Sequence, residues 1–427
     1  MSLHALRLVP ILVVFFLVQL GLHRVLSSIF FARPDQARAR RRLGGAMGAA
    51  TLALPVHFLA IRAGVEFVAP LRWSLVEPLL AWLLFGLPLL FSLAGVRALV
   101  RRWPDRRARP VEALPSPRPD LPAASEIASA PESEPAFPAA APVDPHALSP
   151  ARRIFLARSA QVLLGATAFA IGRGIREAEQ IPQVTRVEIA LSGLDPDLDG
   201  LTILQLSDIH AGALITEERM RQFAKAAALH EVDLIVFTGD LLDASGHAAR
   251  PYARAFESLH GKLGTFAVLG NHDYYAGERA AIRGIRDAGQ TLLRNTGARI
   301  VRGRGSLWLG GVDDPLVRDA GGDVDAVRAL AGAAPEETRI VLAHRPGLFG
   351  LCAEAGAQLV LSGHTHGGQI AWSPAASPAR LLGRHTTGLY SERGTQLYVH
   401  RGMGVVGAAP VRLGVPPELA LLTLRRV

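Results

Sequence analysis

Five short clusters of aspartate, asparagine and histidine hold the side chains of this 427-residue chain that could bind a metal ion. In chain order they are Ser-Asp-Ile-His at 207–210, Gly-Asp-Leu-Leu-Asp at 239–243, Gly-Asn-His-Asp at 270–273, the single His344, and Gly-His-Thr-His-Gly-Gly-Gln at 363–369. Carboxylate and imidazole donors without cysteine suit borderline divalent metals such as manganese, iron or zinc. Each cluster alone is a weak signal, but five in one chain predict a metal site.

Each of these clusters follows a short apolar run. The runs at 201–206, 234–237, 265–269, 339–343 and 358–361 are typical of buried strands. Between them, apolar spacing predicts helices over 217–230, with Thr216 as N-cap, and over 252–259. Alternating strands and helices indicate an α/β layered fold, in which ligands bind at the carboxyl ends of the strands. The donor pairs 208/210 and 364/366 are two residues apart, so extended backbone would place both side chains on one face.

The positive charge of the chain is confined to its first 180 residues. The formal net charge is +9; residues 1–180 hold 21 Lys and Arg against 12 Asp and Glu, and residues 181–427 hold 25 against 25. The second part therefore offers no bulk basic charge to a polyanion, which argues against a nucleic-acid partner. The single cysteine, Cys352, excludes a disulfide framework within the chain and a cysteine-rich metal site.

Three apolar runs predict a membrane domain over residues 1–103. They lie at 6–31, 43–68 and 75–100, and each is long enough to span the hydrocarbon core of a bilayer. Residues 104–150 follow with 12 of the 29 prolines of the chain. A composition of this kind cannot form a core and predicts an extended linker.

A fourth apolar segment, at 151–175, precedes the metal motifs. It begins Arg152-Arg153-Ile154-Phe155-Leu156, which resembles a twin-arginine export signal and would make the twin-arginine translocation machinery a partner. A plain transmembrane helix flanked by arginines fits equally well, and both interpretations stay open. Arginine clusters after the first and third runs and before the fourth predict that these ends are cytoplasmic. We therefore expect a multi-pass inner-membrane protein, in contact with the lipid bilayer, whose residues 181–427 lie on the outer, periplasmic face.

The series of motifs resembles the calcineurin-like metallophosphoesterase superfamily, which carries Asp-x-His, Gly-Asp-x-x-Asp, Gly-Asn-His-Asp/Glu, a single histidine after a strand, and Gly-His-x-His. The resemblance covers about residue 185 to the end of the chain. The Gly-Gly-Gln after His366 and Pro416-Pro417-Glu418 before a final apolar run are similar to its membrane-anchored bacterial branch. The resemblance implies a four-layer α/β/β/α sandwich over residues 181–427, preceded by transmembrane helices.

The resemblance also implies a role for each matching residue. Seven residues would hold two divalent metal ions (manganese, iron or zinc): Asp208, His210 and His366 on the first, Asn271, His344 and His364 on the second, and Asp240 between both. The ions would activate a hydroxide for attack on phosphorus. His272 would protonate the leaving oxygen, and Asp243 would orient His272.

The implied function is the hydrolysis of a phosphate ester, either a diester or a monoester and free or lipid-linked, by a membrane-anchored enzyme. One alternative is a pyrophosphohydrolase at the cytoplasmic face that acts on a nucleotide-linked lipid precursor. Another is a non-catalytic membrane scaffold, which the presence of every expected donor disfavours. The phosphoprotein phosphatase branch has an arginine where this chain has Ala244. Arg345 would then either supply a phosphate-binding cation or lie in a surface loop.

Overall fold

The computed structural model describes residues 150–427, except 372, 374–376, 382–383 and 407–409, together with scattered positions between residues 20 and 92. Apart from those positions and Pro150, the predicted membrane domain at 1–103 and linker at 104–150 lie outside the described residues. The described stretch begins with helix α1 (Pro150–Ala178). Its Ile154–Ala178 segment is, over the described residues, the one helix long and apolar enough to cross a membrane.

The first sheet contains six strands. They are β1 (Gln183–Leu191), β2 (Thr202–Leu206), β3 (Leu234–Thr238), β4 (Thr265–Val268), β5 (Thr291–Leu292) and β12 (Glu418–Arg426). Their order in the sheet is β1–β12–β2–β3–β4–β5. Strands β2 to β5 are parallel, whereas β12 runs antiparallel to β2 and parallel to β1. Strand β3, Leu-Ile-Val-Phe-Thr, is buried along its whole length, as expected of a central strand covered on both faces.

The second sheet also contains six strands. They are β6 (Thr296–Arg302), β7 (Gly305–Gly311), β8 (Thr338–Leu342), β9 (Leu359–Ser362), β10 (Gly388–Glu392) and β11 (Thr395–Val399), in the sheet order β10–β11–β9–β8–β7–β6. The four central strands are parallel, and an antiparallel hairpin closes each edge.

Helices cover the outer face of each sheet. Those of the first sheet are α2 (Glu217–Ala227), α3 (Ala249–Phe256), α4 (Asn271–Ala276) and α5 (Glu278–Asp287), and those of the second are α6 (Ala326–Leu330) and α7 (Phe349–Glu354). Phe237 of β3 packs edge-to-face on Phe256 of α3 in the first helix layer. Val236 and Ile340 belong to the core between the sheets, and Cys352 to the core under α7. The predicted four-layer α/β/β/α sandwich is confirmed.

The observed elements differ from the sequence pattern mainly at their ends. Helix α2 starts after Thr216, which caps it by accepting a hydrogen bond from the N–H of Arg219, but it ends at Ala227 rather than at residue 230. Helix α3 starts at Ala249, three residues earlier than expected. The pattern does not predict β1, β5, β6 or β10, because few of their residues are buried and the apolar signal is weak.

Candidate metal centre

The carboxyl ends of five strands meet at one edge of the sandwich and carry the five motifs. Strands β2, β3 and β4 are neighbours in the first sheet, and β8 and β9 are neighbours in the second. Hydrogen bonds join the two sheets at this edge. The side-chain amide of Gln205 donates to the carbonyl oxygen of Ser362 (3.0 Å), and the backbone N–H of His364 donates to Oδ1 of Asp208 (2.9 Å).

Asp208, His210 and His366 form the first cluster of donor atoms. All three are buried, and their ligand atoms lie within 4.8 Å of one another. The Nε2 atoms of His210 and His366 are 3.0 Å apart, and Nε2 of His366 is 3.4 Å from Oδ1 of Asp208. Two imidazole nitrogens and a carboxylate oxygen therefore converge on one small volume, as a divalent ion requires.

Asp240, His344 and His364 form the second cluster, again with ligand atoms within 4.8 Å of one another. Nδ1 of His364 is 3.2 Å from Nε2 of His344, which is 3.2 Å from Oδ2 of Asp240. The same Oδ2 is 3.7 Å from Nε2 of His210 in the first cluster. Asp240 thus lies between the clusters, where a bridging ligand would have to be.

Asn271 lies beside Asp240, because both neighbours of Asn271 in the chain contact that aspartate. The backbone N–H of His272 donates to Oδ1 of Asp240 (2.8 Å), and a Cβ on Gly270 would lie 2.3 Å from the same oxygen. The Oδ1 of Asn271 is buried without a hydrogen-bond partner. An unpaired buried acceptor costs about 1–3 kcal/mol, and a bound cation would offset that cost. The donors present therefore fit divalent ions, while the assignment of Asn271 to the second ion stays a prediction.

Five of the predicted ligands have left-handed backbone conformations. Their φ angles lie between 51° and 73° at Asp208, His210, Asp240, His364 and His366. Non-glycine residues in this region are strained by about 1–3 kcal/mol each, and such strain concentrates at functional sites. The expectation that extended backbone aligns the 208/210 and 364/366 pairs is therefore wrong. Sharp left-handed turns after β2 and β9 bring these side chains together.

Two glycines allow the sheets to approach this closely. Gly239 has φ 87°, and a Cβ there would lie 2.7 Å from Nδ1 of His344 on the opposite sheet. A Cβ on Gly363 would lie 2.3 Å from Oδ2 of Asp208. Either substitution would push a ligand of one sheet away from the motif of the other.

His272 and Asp243, the predicted acid and its orienting residue, lie beside the first cluster. Nδ1 of His272 is 2.9 Å from the carbonyl oxygen and 3.2 Å from Oδ1 of Asp243. Although burial opposes the charged ring, its hydrogen bond to Asp243 and the charge of Asp240 raise the pKa of His272 to about 9. Oδ1 of Asp243 is also 3.4 Å from Nδ1 of His210. Asp243 therefore contacts a candidate ligand as well as the candidate acid, which the motif alone does not indicate.

Burial and neighbouring charges set the protonation of the clustered histidines. Burial and the charge of His344 lower the pKa of His364 to about 4, and burial lowers the pKa of His366 well below its usual value. Both rings are neutral at pH 7, which is the form that binds metal. Against the effect of burial, Asp240 raises the pKa of His344 to about 10. The carboxylates thus favour a positive charge between them.

Arg345, which follows His344 in the chain, is held by an ion pair. Its Nε and Nη2 donate to the two carboxylate oxygens of Asp314 at 2.6 and 3.1 Å. The Asp314 side chain is completely buried, whereas 29% of the Arg345 side chain is exposed. The guanidinium therefore has a fixed partner, which neither of the two sequence-based alternatives predicted.

Sequence reasoning missed Arg412, the largest fully buried side chain in the described part of the chain. Its Nη2 is 3.2 Å from Nδ1 of His366. Its guanidinium donates to three backbone carbonyl oxygens, those of Arg401, Gly404 and Val415. No motif or spacing marks this residue, because its contacts arise only when residues 401–406 and 410–415 fold against the first cluster.

Known proteins match the same part of the chain. Residues 201–368 match the family model described as calcineurin-like phosphoesterase. The chain is 34% identical over 265 residues to a transmembrane protein with metallophosphoesterase domain of Bos taurus, covering 59% of each chain, and the match to the Danio rerio protein of the same name spans 60% of that relative. The chain thus spans under two thirds of the length of these two relatives. An uncharacterised metallophosphoesterase of Bacillus subtilis is 30% identical over 254 residues, covering 57% of this chain and 85% of the relative. The solved structure of TT1561 of Thermus thermophilus is 18% identical with a TM-score of 0.32, covering 48% of this chain and 90% of that one.

Proposed function

The chain belongs to the calcineurin-like phosphoesterase family, and we propose from this premise that it is a metal-dependent enzyme that hydrolyses a phosphate ester. One observation carries the proposal. Oδ2 of Asp240 lies 3.2 Å from Nε2 of His344 and 3.7 Å from Nε2 of His210. A carboxylate that lies between two sets of metal-binding donor atoms suits two divalent ions better than one.

The ions would be held by the residues that the motifs indicate. Asp208, His210 and His366 would hold one, Asn271, His344 and His364 would hold the other, and Asp240 would contact both. When bound, two such ions (manganese, iron or zinc) would lower the pKa of a water and neutralise the phosphoryl oxygens of the ester.

His272 would supply the proton that the leaving oxygen needs. Its Nδ1 faces two oxygens of Asp243, so Nδ1 is the donor in that contact and Nε2 carries the transferable proton. The Asp243 contact fixes the ring plane, and 21% of the His272 side chain is exposed toward solvent, where an ester can reach it. These two residues would therefore act as a positioned acid and its orienting partner.

Helix α1 would anchor the enzyme in the membrane. This part of the proposal is supported by the apolar Ile154–Ala178 segment and by the arginine clusters on its N-terminal side, which favour a catalytic domain on the outer face. Arg152 and Arg153 lie in the first turn of α1. Both the twin-arginine export route and direct insertion as a membrane helix are consistent with this arrangement. A reporter fused after Val427 that is active only in the cytoplasm would contradict the outer-face orientation.

A panel of esters tests the enzymatic part of the proposal. The full chain, purified in detergent and stripped with EDTA, is reloaded with manganese, iron or zinc and given p-nitrophenyl phosphate, bis(p-nitrophenyl) phosphate and a nucleoside diphosphate ester. We expect no turnover by the stripped protein and turnover of at least one ester after reloading. A folded, metal-loaded chain that hydrolyses none of the three would overturn the proposal.

A further inference from the structure

The last two turns of α1 are docked on the catalytic domain, whereas residues 161–170 before them are exposed or half-buried; Leu156 and Ala160, nearer the start of the helix, are buried. Over the described residues none between 161 and 170 is buried, and Val162 and Phe169 are 70% and 72% exposed. Burial begins again at Ile171 and continues at Gly174 and Ala178. The helix therefore has an outward-facing apolar stretch that ends where the domain begins.

The length of the whole apolar segment, Ile154–Ala178, sets the depth of the docked turns. A helix rises 1.5 Å per residue and a bilayer core is about 30 Å thick, so about 20 residues cross it. Counted from Ile154, after the last arginine of the N-terminal pair, the core ends near Arg173, whose side chain is 61% exposed. Gly174 then lies at the boundary between hydrocarbon and headgroups, on whichever side of the membrane the domain stands.

A single residue connects Gly174 to the first donor cluster. The backbone N–H of Arg412 donates to the carbonyl oxygen of Gly174 (3.0 Å), and its guanidinium Nη2 is 3.2 Å from Nδ1 of His366. The fit is tight, since a Cβ on Gly174 would lie 2.6 Å from Cγ1 of Val411. The first cluster is thus one arginine away from the membrane boundary. When α1 spans the bilayer, this link through Arg412 keeps the first cluster near the headgroup layer.

We propose that the substrate is a phosphate ester of a membrane lipid, which reaches the clusters without leaving the bilayer; this inference rests on the proposed phosphoesterase function. In the reaction a water oxygen forms a bond to phosphorus and the ester P–O bond breaks. The leaving lipid oxygen takes the proton of His272, and the proton lost by water passes through solvent to His272, which restores the acid. Ile181, just beyond the end of α1, is 63% exposed, which fits a position at the membrane–water interface.

The kinetic experiment compares lipids that differ only in chain length. The full chain in nanodiscs, loaded with manganese, is given phosphatidic acid and phosphatidylglycerol, each as the dioleoyl lipid and as the soluble dihexanoyl analogue, with bis(p-nitrophenyl) phosphate as a reference. At equal bulk concentration we expect one dioleoyl lipid to be hydrolysed at least about tenfold faster than its short analogue, because the bilayer raises its effective concentration.

The reference ester separates the two ways in which this experiment can fail. Hydrolysis of bis(p-nitrophenyl) phosphate together with equal or slower hydrolysis of both dioleoyl lipids overturns the lipid inference and leaves the phosphoesterase function intact. Loss of turnover on all five compounds instead overturns the proposed function itself, and the inference with it.

A depth measurement tests the geometry without relying on activity. Arg219 in the first turn of α2 donates to the carbonyl oxygens of Ala178 and Gln180, so that turn lies beside the end of α1. A fluorophore on Glu218→Cys, a position in that turn, should be quenched by a lipid that carries a spin label on its headgroup. The control is Leu229→Cys, 80% exposed beyond the other end of α2 and about 16 Å further along the helix axis. Equal quenching at both positions, or stronger quenching at 229, would overturn the inference.

Discussion

The two donor clusters are built by different parts of the fold. The second cluster stands directly on strand ends, and Nδ1 of its His344 is 2.8 Å from the carbonyl oxygen of Thr238 in β3. The first cluster depends in addition on the final loop of the chain. The N–H groups of Met403 and Gly404 donate to the carbonyl oxygens of Ser207 and Asp208 at 3.0 and 2.8 Å.

The second cluster is thus held by residues at neighbouring strand ends, whereas the first also depends on residues that are distant in the chain. Contacts at the strand ends, such as the N–H of His364 on Asp208, hold the second cluster, so its geometry should survive changes in the final loop. The first cluster needs Arg412, which in turn contacts α1. Substitutions far from the ligands in the chain should therefore weaken metal binding at the first cluster and spare the second.

The largest effect is expected from the residue that belongs to both clusters. Asp240→Asn removes the shared carboxylate charge, and turnover of bis(p-nitrophenyl) phosphate should fall on the order of 10³-fold or more, the scale of losing a central electrostatic group. Asp325→Asn is a matched control, because the Asp325 side chain caps α6 by accepting the N–H of Arg328, away from both clusters. A normally active Asp240→Asn protein would remove the reason for treating the clusters as a pair.

A smaller and one-sided effect is expected from Arg412→Gln. The shorter side chain leaves the carbonyl oxygens of Arg401 and Val415 without their donor, and His366 loses its neighbour. Manganese affinity at one of the two sites should fall about 10- to 100-fold, as for other residues that support a ligand, measured by calorimetric titration. The control is Arg299→Gln, which removes an ion pair with Glu337 on the outer part of the second sheet. Equal weakening of both sites would contradict the division between local and remote support.

Gly174→Leu should reproduce the Arg412 effect in weaker form. The new side chain would collide with Val411, and overpacking of this kind destabilises a fold by about 1–3 kcal/mol. Part of that strain should reach His366 and lower metal affinity at the first cluster alone. At Gly172 a Cβ would meet nothing within 4 Å, so Gly172→Leu should bind metal like the wild type. Indistinguishable binding by the two variants would break the connection between α1 and the metal centre.

The smallest effect of metal is expected behind the second cluster, on the reactivity of the Cys352 thiol. Cys352 in α7 is buried against the outer face of the second sheet, and burial raises the pKa of its thiol to about 12. Because the thiolate is the reactive form, native protein should not react with an alkylating agent at pH 8, with or without metal, while unfolded protein should react once. Rapid alkylation after EDTA treatment would show that the second cluster also depends on its ions for structure.

The amino-acid sequence was sufficient to predict the features that depend on neighbouring residues. The buried strand Leu-Ile-Val-Phe-Thr and the Thr216 cap have direct signals in neighbouring residues, and the donors follow strands whose ends must meet. The structure brings Asp208, His210 and His366 into one cluster and Asp240, His344 and His364 into another. Their roles as ligands remain predictions.

The amino-acid sequence was not sufficient to predict the features that depend on tertiary contacts. His210 and Asp240 have positive φ where the N–H of His210 donates to the carbonyl oxygen of Asp240. Neither is glycine, the residue type that usually marks this conformation. Arg412 lies 46 residues beyond His366 in the chain, in a segment with no motif. Edge strands such as β10 are only partly buried, so their pattern resembles that of a loop.

A manganese titration of the EDTA-treated full chain tests the pairing of the clusters most directly. Metal content and electron paramagnetic resonance are followed as the ion is added. Two ions that share Asp240 should give saturation at two manganese ions per chain and the multiline signal of an exchange-coupled pair. Saturation at one ion, with only the six-line signal of isolated manganese, would contradict the account.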